Sequence, residues 1–196
     1  MLGAVILSPE TLEPIINEMG AKYGVDPALI KAHIKQESNW DVNASRYEAH
    51  KNDASWGLMQ LLLTTAKGVL GNPDLSITQL IQPRVNIEAG TKFIAQNLKR
   101  YGGVVADAIA AYNAGSVRFK KDGYSYVNQD YVDKVWKNYG IYKAMGTSPV
   151  AEAAIDTSQA ITDVVSNVTS SDMTPYYIVG GLGVLGLLMM ANRESL

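Results

Sequence analysis

The chain contains no cysteine among its 196 residues, which excludes a disulfide framework, a thiolate metal site and a cysteine nucleophile. Histidine is nearly as scarce. His33 and His50 are the only two, and this argues against a histidine-based triad or a zinc centre. No segment shows five or more residues of strict polar–apolar alternation, the mark of a half-buried strand. The room left for β structure is a short hairpin within Asn39–Ser55 or around Tyr124–Tyr126. Lys and Arg form no basic patch and the net charge is −2, so nucleic acid is not expected as a partner. No cofactor or metal is expected either.

The hydrophobic content of 47% suits one globular domain with an appendage at this length. Charge divides unevenly along the chain. Residues 1–145 hold 16 Lys and Arg against 14 Asp and Glu, whereas residues 146–196 hold Arg193 alone against Glu152, Asp156, Asp163, Asp172 and Glu194.

Helical periodicity dominates the first part. Leu12, Ile16, Met19 and Tyr23 share a face of a first helix that starts at Ser8 or Thr11 and stops before Gly24; Pro14 complicates the start, because proline suits only the first turn. Asp26-Pro27 opens a second helix, with Asp as N-cap and Pro at the first helical position. A loop over Asn39–Ser55 leads to a short apolar helix over Gly57–Leu63. Pro83 opens the next helix, where Ile87, Gly90, Ile94, Leu98 and Tyr101 recur at helical spacing. A small-residue helix over 104–113 and a last one from Asn128 to Tyr139, presenting Tyr131, Val132, Val135, Trp136 and Tyr139, complete the set.

The second helix carries the most informative residue. Leu29, Ile30, His33, Ile34 and Glu37 fall on one face at 3.6 residues per turn, so a carboxyl group ends an apolar stripe. Desolvation disfavours the charged form there, and the negative end of the helix dipole pushes the same way. A carboxylic acid kept neutral near pH 6 is suited to protonate the leaving oxygen of a glycosidic bond. The structural alternative is a Glu salt-bridged to a neighbour. His33, one turn earlier, reads as a neutral packing histidine, since an imidazolium there would lower the Glu37 pKa.

Glu37-Ser38, Gly57-Leu58-Met59-Gln60 and Ala111-Tyr112-Asn113-Ala114-Gly115 follow one another in this order. Together, at these spacings, they resemble the soluble lytic transglycosylase family, whose fold is that of goose-type lysozyme. The resemblance covers roughly residues 9–143 and implies a mainly α, compact lysozyme-like domain over residues 1–145 that cuts the glycan strands of peptidoglycan. It assigns Glu37 as the sole catalytic acid and Ser38 as the residue fixing the geometry of that turn. Met59 and Gln60 are expected against the saccharide, and Tyr112 and Asn113 on the other side near the carboxyl. Tyr131, in Tyr131-Val132-Asp133-Lys134-Val135, matches the tyrosine that hydrogen-bonds the catalytic Glu. A loop serine contacts the sugar N-acetyl group in the family, and Ser45 and Ser55 compete for that role. Asn86-Ile87 and Gly90 match the family's helix-packing segment.

The chain departs from the pattern in three places. Leu61-Leu62-Leu63-Thr64-Thr65-Ala66 lacks the proline that usually follows Gly-Leu-Met-Gln. The gap between Glu37 and Gly57 is long, and Asn128 stands where a Thr often precedes the last Tyr. The resemblance implies a one-carboxylate reaction in which Glu37 protonates the glycosidic oxygen and then takes the proton from the C6 hydroxyl of N-acetylmuramic acid. That hydroxyl attacks its own anomeric carbon and gives a 1,6-anhydro sugar. Plain hydrolysis, a muramidase activity, is the alternative. It needs a second acid to hold water, with Asp41, Glu48 and Asp53 as candidates. A non-catalytic structural virion protein on the same fold is the alternative from another class. Trp40, Trp56, Tyr124 and Tyr126 are candidates to stack on sugar rings, Trp56 foremost because it abuts Gly57.

Beyond Gly146 the composition changes. Val150, Ala154, Thr157, Ile161, Val164, Val165 and Val168 share a helical face, so residues 146–174 read as a linker or an amphipathic helix. Pro175–Ala191 contains no charged residue, and residues 175–192 read as one transmembrane helix of about 25 Å, a little short of a ~30 Å hydrocarbon core. Tyr176, Tyr177 and Arg193 suit the interfaces, and Gly180, Gly183 and Gly186 form a stripe for close helix contact. The run Met1–Leu7 lacks basic residues and is too short for a signal peptide. The expected setting is a chain anchored by its C-terminus in a virion membrane or bacterial envelope, its catalytic domain facing the wall. Virion or secretion-apparatus proteins are the expected partners, and local wall opening during phage infection the expected role. On this reading the full chain partitions into lipid vesicles. Val184→Lys, costing on the order of 2–3 kcal/mol of insertion, releases it in a flotation assay; a wild-type chain left in the aqueous fraction refutes the anchor.

Overall fold

The computed structural model describes residues 3–49 and 53–147. Within them lie helices α1 (Pro9–Tyr23), α2 (Pro27–Ser38), α3 (Leu63–Leu70), α4 (Ile77–Leu80), α5 (Pro83–Arg100), α6 (Val105–Ala114) and α7 (Gln129–Thr147), with strands β1 (Ser45–Glu48), β2 (Asp53–Trp56) and β3 (Leu61–Leu62). The linker and apolar helix expected over residues 146–174 and 175–192 lie, from residue 148 onward, outside the described residues. Among the described residues no helix is long and apolar enough to cross a membrane.

Helix starts and stops follow the local chemistry. Ser8 caps α1 by accepting from Thr11 N, and Gly24 ends it at φ +67°. Pro14 is accommodated inside the helix, so α1 begins at Pro9, a turn and a half before it. Asp26 Oδ1 accepts from Ala28 N at 2.9 Å and starts α2. At the other end Asn39 and Trp40 take positive φ, +51° and +70°, and turn the chain away directly after Glu37-Ser38. Helix α7 lies along α2. Its Tyr139 donates to Asp26 Oδ2 at 3.0 Å and its Lys143 pairs with the same carboxylate at 2.7 Å. Helix α5 supplies the centre of the core, burying Asn86, Ile87, Gly90, Thr91 and Ile94 against Ile30, Ile34, Leu58 and Ile109 from neighbouring segments.

The structure corrects the reading of Gly57–Leu63 as a helix. Residues 57–60 form a turn, 61–62 pair as β3, and the helix begins at Leu63, where the sequence reading ended it. The reason is visible in the backbone. Gly57 and Gln60 have φ of +74° and +45°, outside the helical region. The polar groups of the turn are taken by side chains far along the chain. Met59 N donates to Asn86 Oδ1 at 2.7 Å, Asn86 Nδ2 donates to Trp56 O and Leu80 O at 3.0 and 3.1 Å, and Tyr112 Oη donates to Met59 O at 2.8 Å. Gly90 lets the turn settle on α5, because a Cβ at that position would lie 2.2 Å from Met59 Sδ.

The long segment after Glu37 contains the hairpin for which the sequence left room. Strands β1, β2 and β3 form an antiparallel sheet in that order, with Arg46 opposite Ser55 and Glu48 opposite Asp53. A further bridge pairs Phe119 with Tyr126. Helix α4 was not expected; it is a single turn closed by a Ser76–Gln79 capping box.

Asn86 is fully buried and satisfies three backbone groups at once. Asn86→Ala is expected to destabilise the domain by roughly 3–5 kcal/mol, the cost of orphaning them. Thermal melting checks this, and a shift of only a few degrees would show that the turn holds without the clamp.

Candidate functional site

Glu37 sits in the last turn of α2 beside a groove of about 360 Å³. Arg46, Glu48, Ser55 and Gln60 line it from the hairpin side; Phe93, Tyr112, Asn113, Arg118 and Asn128 line it from the helical side. The carboxyl keeps an opening to this groove but is otherwise enclosed by protein. Burial pushes its pKa up from 4.5 to about 7, against the lowering effects of a hydrogen bond from Tyr131 and the charge of Arg46; Glu48 adds to the rise. Tyr131 Oη donates to Glu37 Oε1 at 2.5 Å. Burial and the neighbouring Glu37 hold the Tyr131 phenol well above its ordinary pKa, so it keeps its proton.

Behind this pair lies His33. It is fully buried, with Nδ1 3.2 Å from Tyr131 Oη and its ring 4.5 Å from that of Tyr112. Burial lowers its pKa to about 3. It is therefore neutral, and its polar contact is with Tyr131 rather than with Glu37.

The other residues singled out in the sequence are placed as follows. Ser38 Oγ donates to Ile34 O at 3.2 Å and serves the end of α2. Of the two competing serines, Ser55 lies in the groove wall, its hydroxyl 2.9 Å from Gln60 Oε1, whereas Ser45 is exposed at the outer start of β1 and does not line the groove. Gln60 is in the wall, its amide donating to Ala44 O and Gly57 O at 2.9 and 3.0 Å. Met59 is fully buried beneath the wall against Gly90, so its side chain does not reach the groove. Asn113 Oδ1 accepts from Asn128 Nδ2 at 3.0 Å across the helical side.

None of the four aromatic stacking candidates lines the groove. Trp40 is buried edge-on against Tyr142, Trp56 packs on the core, Tyr126 is buried with its hydroxyl on Asp107, and Tyr124 is exposed elsewhere. The groove's aromatics are Tyr112 and Phe93, with rings 5.1 Å apart. Phe93 follows Gly90 by three residues on the apolar stripe of α5, a signal that was legible. Arg46 and Glu48 reach the groove because alternation along β1 sends both to one face, which four residues are too few to announce. Arg118 follows no sequence pattern. Of the three loop acids, only Glu48 lines the groove. Asp41 accepts from Val5 N and Asn43 N, and Asp53 from Ala54 N. Among the described residues no three His, Asp or Glu side chains gather to hold a metal ion.

A helical domain with a short hairpin facing one enclosed carboxyl across a groove is a lysozyme-like fold. The profile of the transglycosylase SLT domain family matches residues 14–134. The chain belongs to that family. It is 29% identical over 164 residues to a transglycosylase of Enterobacteria phage PRD1, an alignment covering 81% of this chain and 56% of the phage protein. It is 32% identical over 117 residues to membrane-bound lytic murein transglycosylase C of Yersinia pestis (strain Pestoides F), covering 53% of this chain and 31% of that one. The chain thus spans about half of the first relative and a third of the second. Among solved structures, an inactive Glu-to-Gln mutant of the lytic transglycosylase Slt from Pseudomonas aeruginosa superposes with a TM-score of 0.58 at 26% identity, over 72% of this chain and 25% of that one.

The raised pKa of Glu37 has a consequence for stability. A carboxyl whose folded pKa exceeds its unfolded value favours the fold below about pH 4.5 and loses that contribution as pH rises through about 7. Glu37→Gln carries no such linkage. It should be more stable than the wild type at pH 8, by roughly 3 kcal/mol and with a higher melting temperature, and equally stable at pH 4. Equal melting at both pH values would mean that Glu37 titrates normally.

Proposed function

We propose that this chain is a lytic transglycosylase that cleaves the MurNAc–GlcNAc bond of peptidoglycan, with Glu37 as acid and then base. The observation that carries this reading is the enclosed carboxyl, raised to a pKa of about 7 at the edge of a groove. Such a group keeps a large protonated fraction at neutral pH and parts with its proton readily, which suits both halves of the cycle. Membership in the SLT domain family supports the substrate class, and the solved relative, inactive with one Glu exchanged for Gln, supports dependence on a single carboxyl.

In the first step Glu37 gives its proton to the glycosidic oxygen as the bond to the anomeric carbon breaks, and the N-acetyl carbonyl of the substrate stabilises the positive centre. In the second, ionised Glu37 takes the proton of the C6 hydroxyl as that oxygen bonds to the anomeric carbon. The 1,6-anhydro-MurNAc end forms and Glu37 regains its proton. No water is consumed. In this reading Tyr131 steadies Oε1, Gln60, Ser55, Asn113 and Tyr112 line the saccharide site, and Ser38 and Met59 act from behind it. We further propose that the chain acts from a virion, opening the wall locally during infection, with its C-terminal apolar segment as the membrane anchor. The phage relative and the membrane-bound relative support that setting.

Glu48 favours a second reading, because it puts another carboxylate in the groove. A water held by Glu48 would give hydrolysis and a reducing MurNAc end. Mass spectrometry of muropeptides after digestion separates the two: anhydro ends are expected, and reducing ends that disappear with Glu48→Gln would establish the muramidase. Glu37→Gln should lower turnover by at least ~10²–10⁴-fold, and wild-type kcat/KM should decline above about pH 7 as the acid form is lost. Lysis by Glu37→Gln at more than a tenth of the wild-type rate removes Glu37 as the catalytic acid.

A further inference from the structure

His33 lies outside the reaction as written, yet its hydrogen bonding is constrained on every side. Tyr131 has a single hydroxyl proton, and at 2.5 Å from Glu37 Oε1 that proton belongs to the carboxylate, which only accepts when ionised. The Tyr131 oxygen then meets His33 Nδ1 at 3.2 Å with lone pairs alone. Two lone pairs cannot bond to each other, so Nδ1 must carry the hydrogen. Nε2 is buried and has no hydrogen-bond partner among the described residues. A bare nitrogen lone pair is tolerated there better than an orphaned N–H. Both ends of the ring therefore select the same neutral tautomer, with the proton on Nδ1.

We propose that His33 is a positioning residue of the active site, its Nδ1–H holding Tyr131 as a one-way donor to Glu37 Oε1 and so confining the exchangeable proton of Glu37 to Oε2. The chain runs His33 Nδ1–H to Tyr131 O–H to Glu37 Oε1, across helices α2 and α7. The opposite tautomer would make Nδ1 an acceptor and draw the Tyr131 proton away from Glu37. Protonated Glu37 would then turn its hydrogen on Oε1 towards Tyr131, where it is lost to the substrate. With the direction set by His33, one oxygen serves both steps: Oε2 releases the proton to the leaving oxygen and recovers it from the C6 hydroxyl. The groups facing this chain are Tyr112 from α6, Tyr131 from α7 and Glu37 itself, with Arg46 and Glu48 of β1 acting on Glu37. No charge is in contact with His33, and burial alone lowers its pKa to about 3, so it stays neutral while Glu37 titrates. The role in turnover rests on Glu37 being the catalytic acid; the tautomer does not.

The test is ¹⁵N NMR of the full chain labelled at histidine, from pH 5 to 9. The two imidazoles are told apart by the signal that His33→Asn removes. His33 is expected neutral and protonated at Nδ1 throughout, on both sides of pH 7. An Nε2–H form, an imidazolium, or a change of tautomer as Glu37 titrates overturns the proposal. Kinetics read the consequence. His33→Leu should lose about tenfold in kcat with KM unchanged, the share of one hydrogen bond in a transition state. His33→Asn, whose amide N–H replaces Nδ1–H, should stay within about threefold of wild type. Wild-type kcat and pH profile in folded His33→Leu overturns the positioning role while leaving Glu37 as the acid. An active Glu37→Gln overturns the acid assignment instead and leaves the tautomer result standing.

Discussion

A single buried amide organises the ground on which the site stands. Asn86, on the central helix α5, binds the backbone of Trp56, Met59 and Leu80 with its two polar atoms. The bonds to Met59 N and Trp56 O give the turn partners it does not find within itself, and the bond to Leu80 O ties the same amide to the end of α4. The turn in consequence lies flat against α5, Gly90 and Met59 close the gap beneath it, and Gln60 and Ser55 emerge on its far side as a wall. Tyr112 Oη on Met59 O and Gln60 Nε2 on Ala44 O add further ties between this turn, α6 and the segment that follows α2, where the carboxyl sits.

The electrostatics of Glu37 are a balance rather than an isolation. Complete burial without contacts would raise its pKa so far that the group could not act as a base. The Tyr131 hydrogen bond and the Arg46 charge oppose desolvation and bring the balance to about 7. Glu48 pulls the other way, and since Arg46 pairs with Glu48 at 2.8 Å, each tempers the influence of the other. The hairpin therefore tunes the carboxyl as well as walling the groove. In the proposed reaction, where Glu37 gives a proton and takes it back within one turnover, this intermediate value serves both steps.

Much of the helical frame was readable from local signals. Asp26-Pro27, Gly24 and Pro83 mark their boundaries by chemistry that acts within four residues, and the apolar stripes of α2 and α5 repeat often enough to be seen. The hairpin was only a possibility, since strands of four residues carry too little alternation. Gly57–Leu63 misled for a physical reason: an apolar run with no breaker after its glycine reads as a helix, and the Asn86 side chain that pulls it into a turn lies 27 residues away from Met59. The same distance effect hid the groove's polar members, Arg46 and Arg118, and set Trp56 against the core although its neighbour Ser55 lines the groove.

The sequence by itself determined that a carboxyl would end an apolar helical stripe, that a tyrosine would recur on the last helix, and that the three motifs would be present in order, because these depend on spacing along the chain. Tertiary structure alone decided what the carboxyl is. Its pKa comes from the bodies packed around it, with Tyr131 arriving from 94 residues away and Arg46 from a strand that pairs only once the hairpin folds. Desolvation and hydrogen bonding are properties of enclosure, and enclosure is settled by which segments meet rather than by their order in the chain.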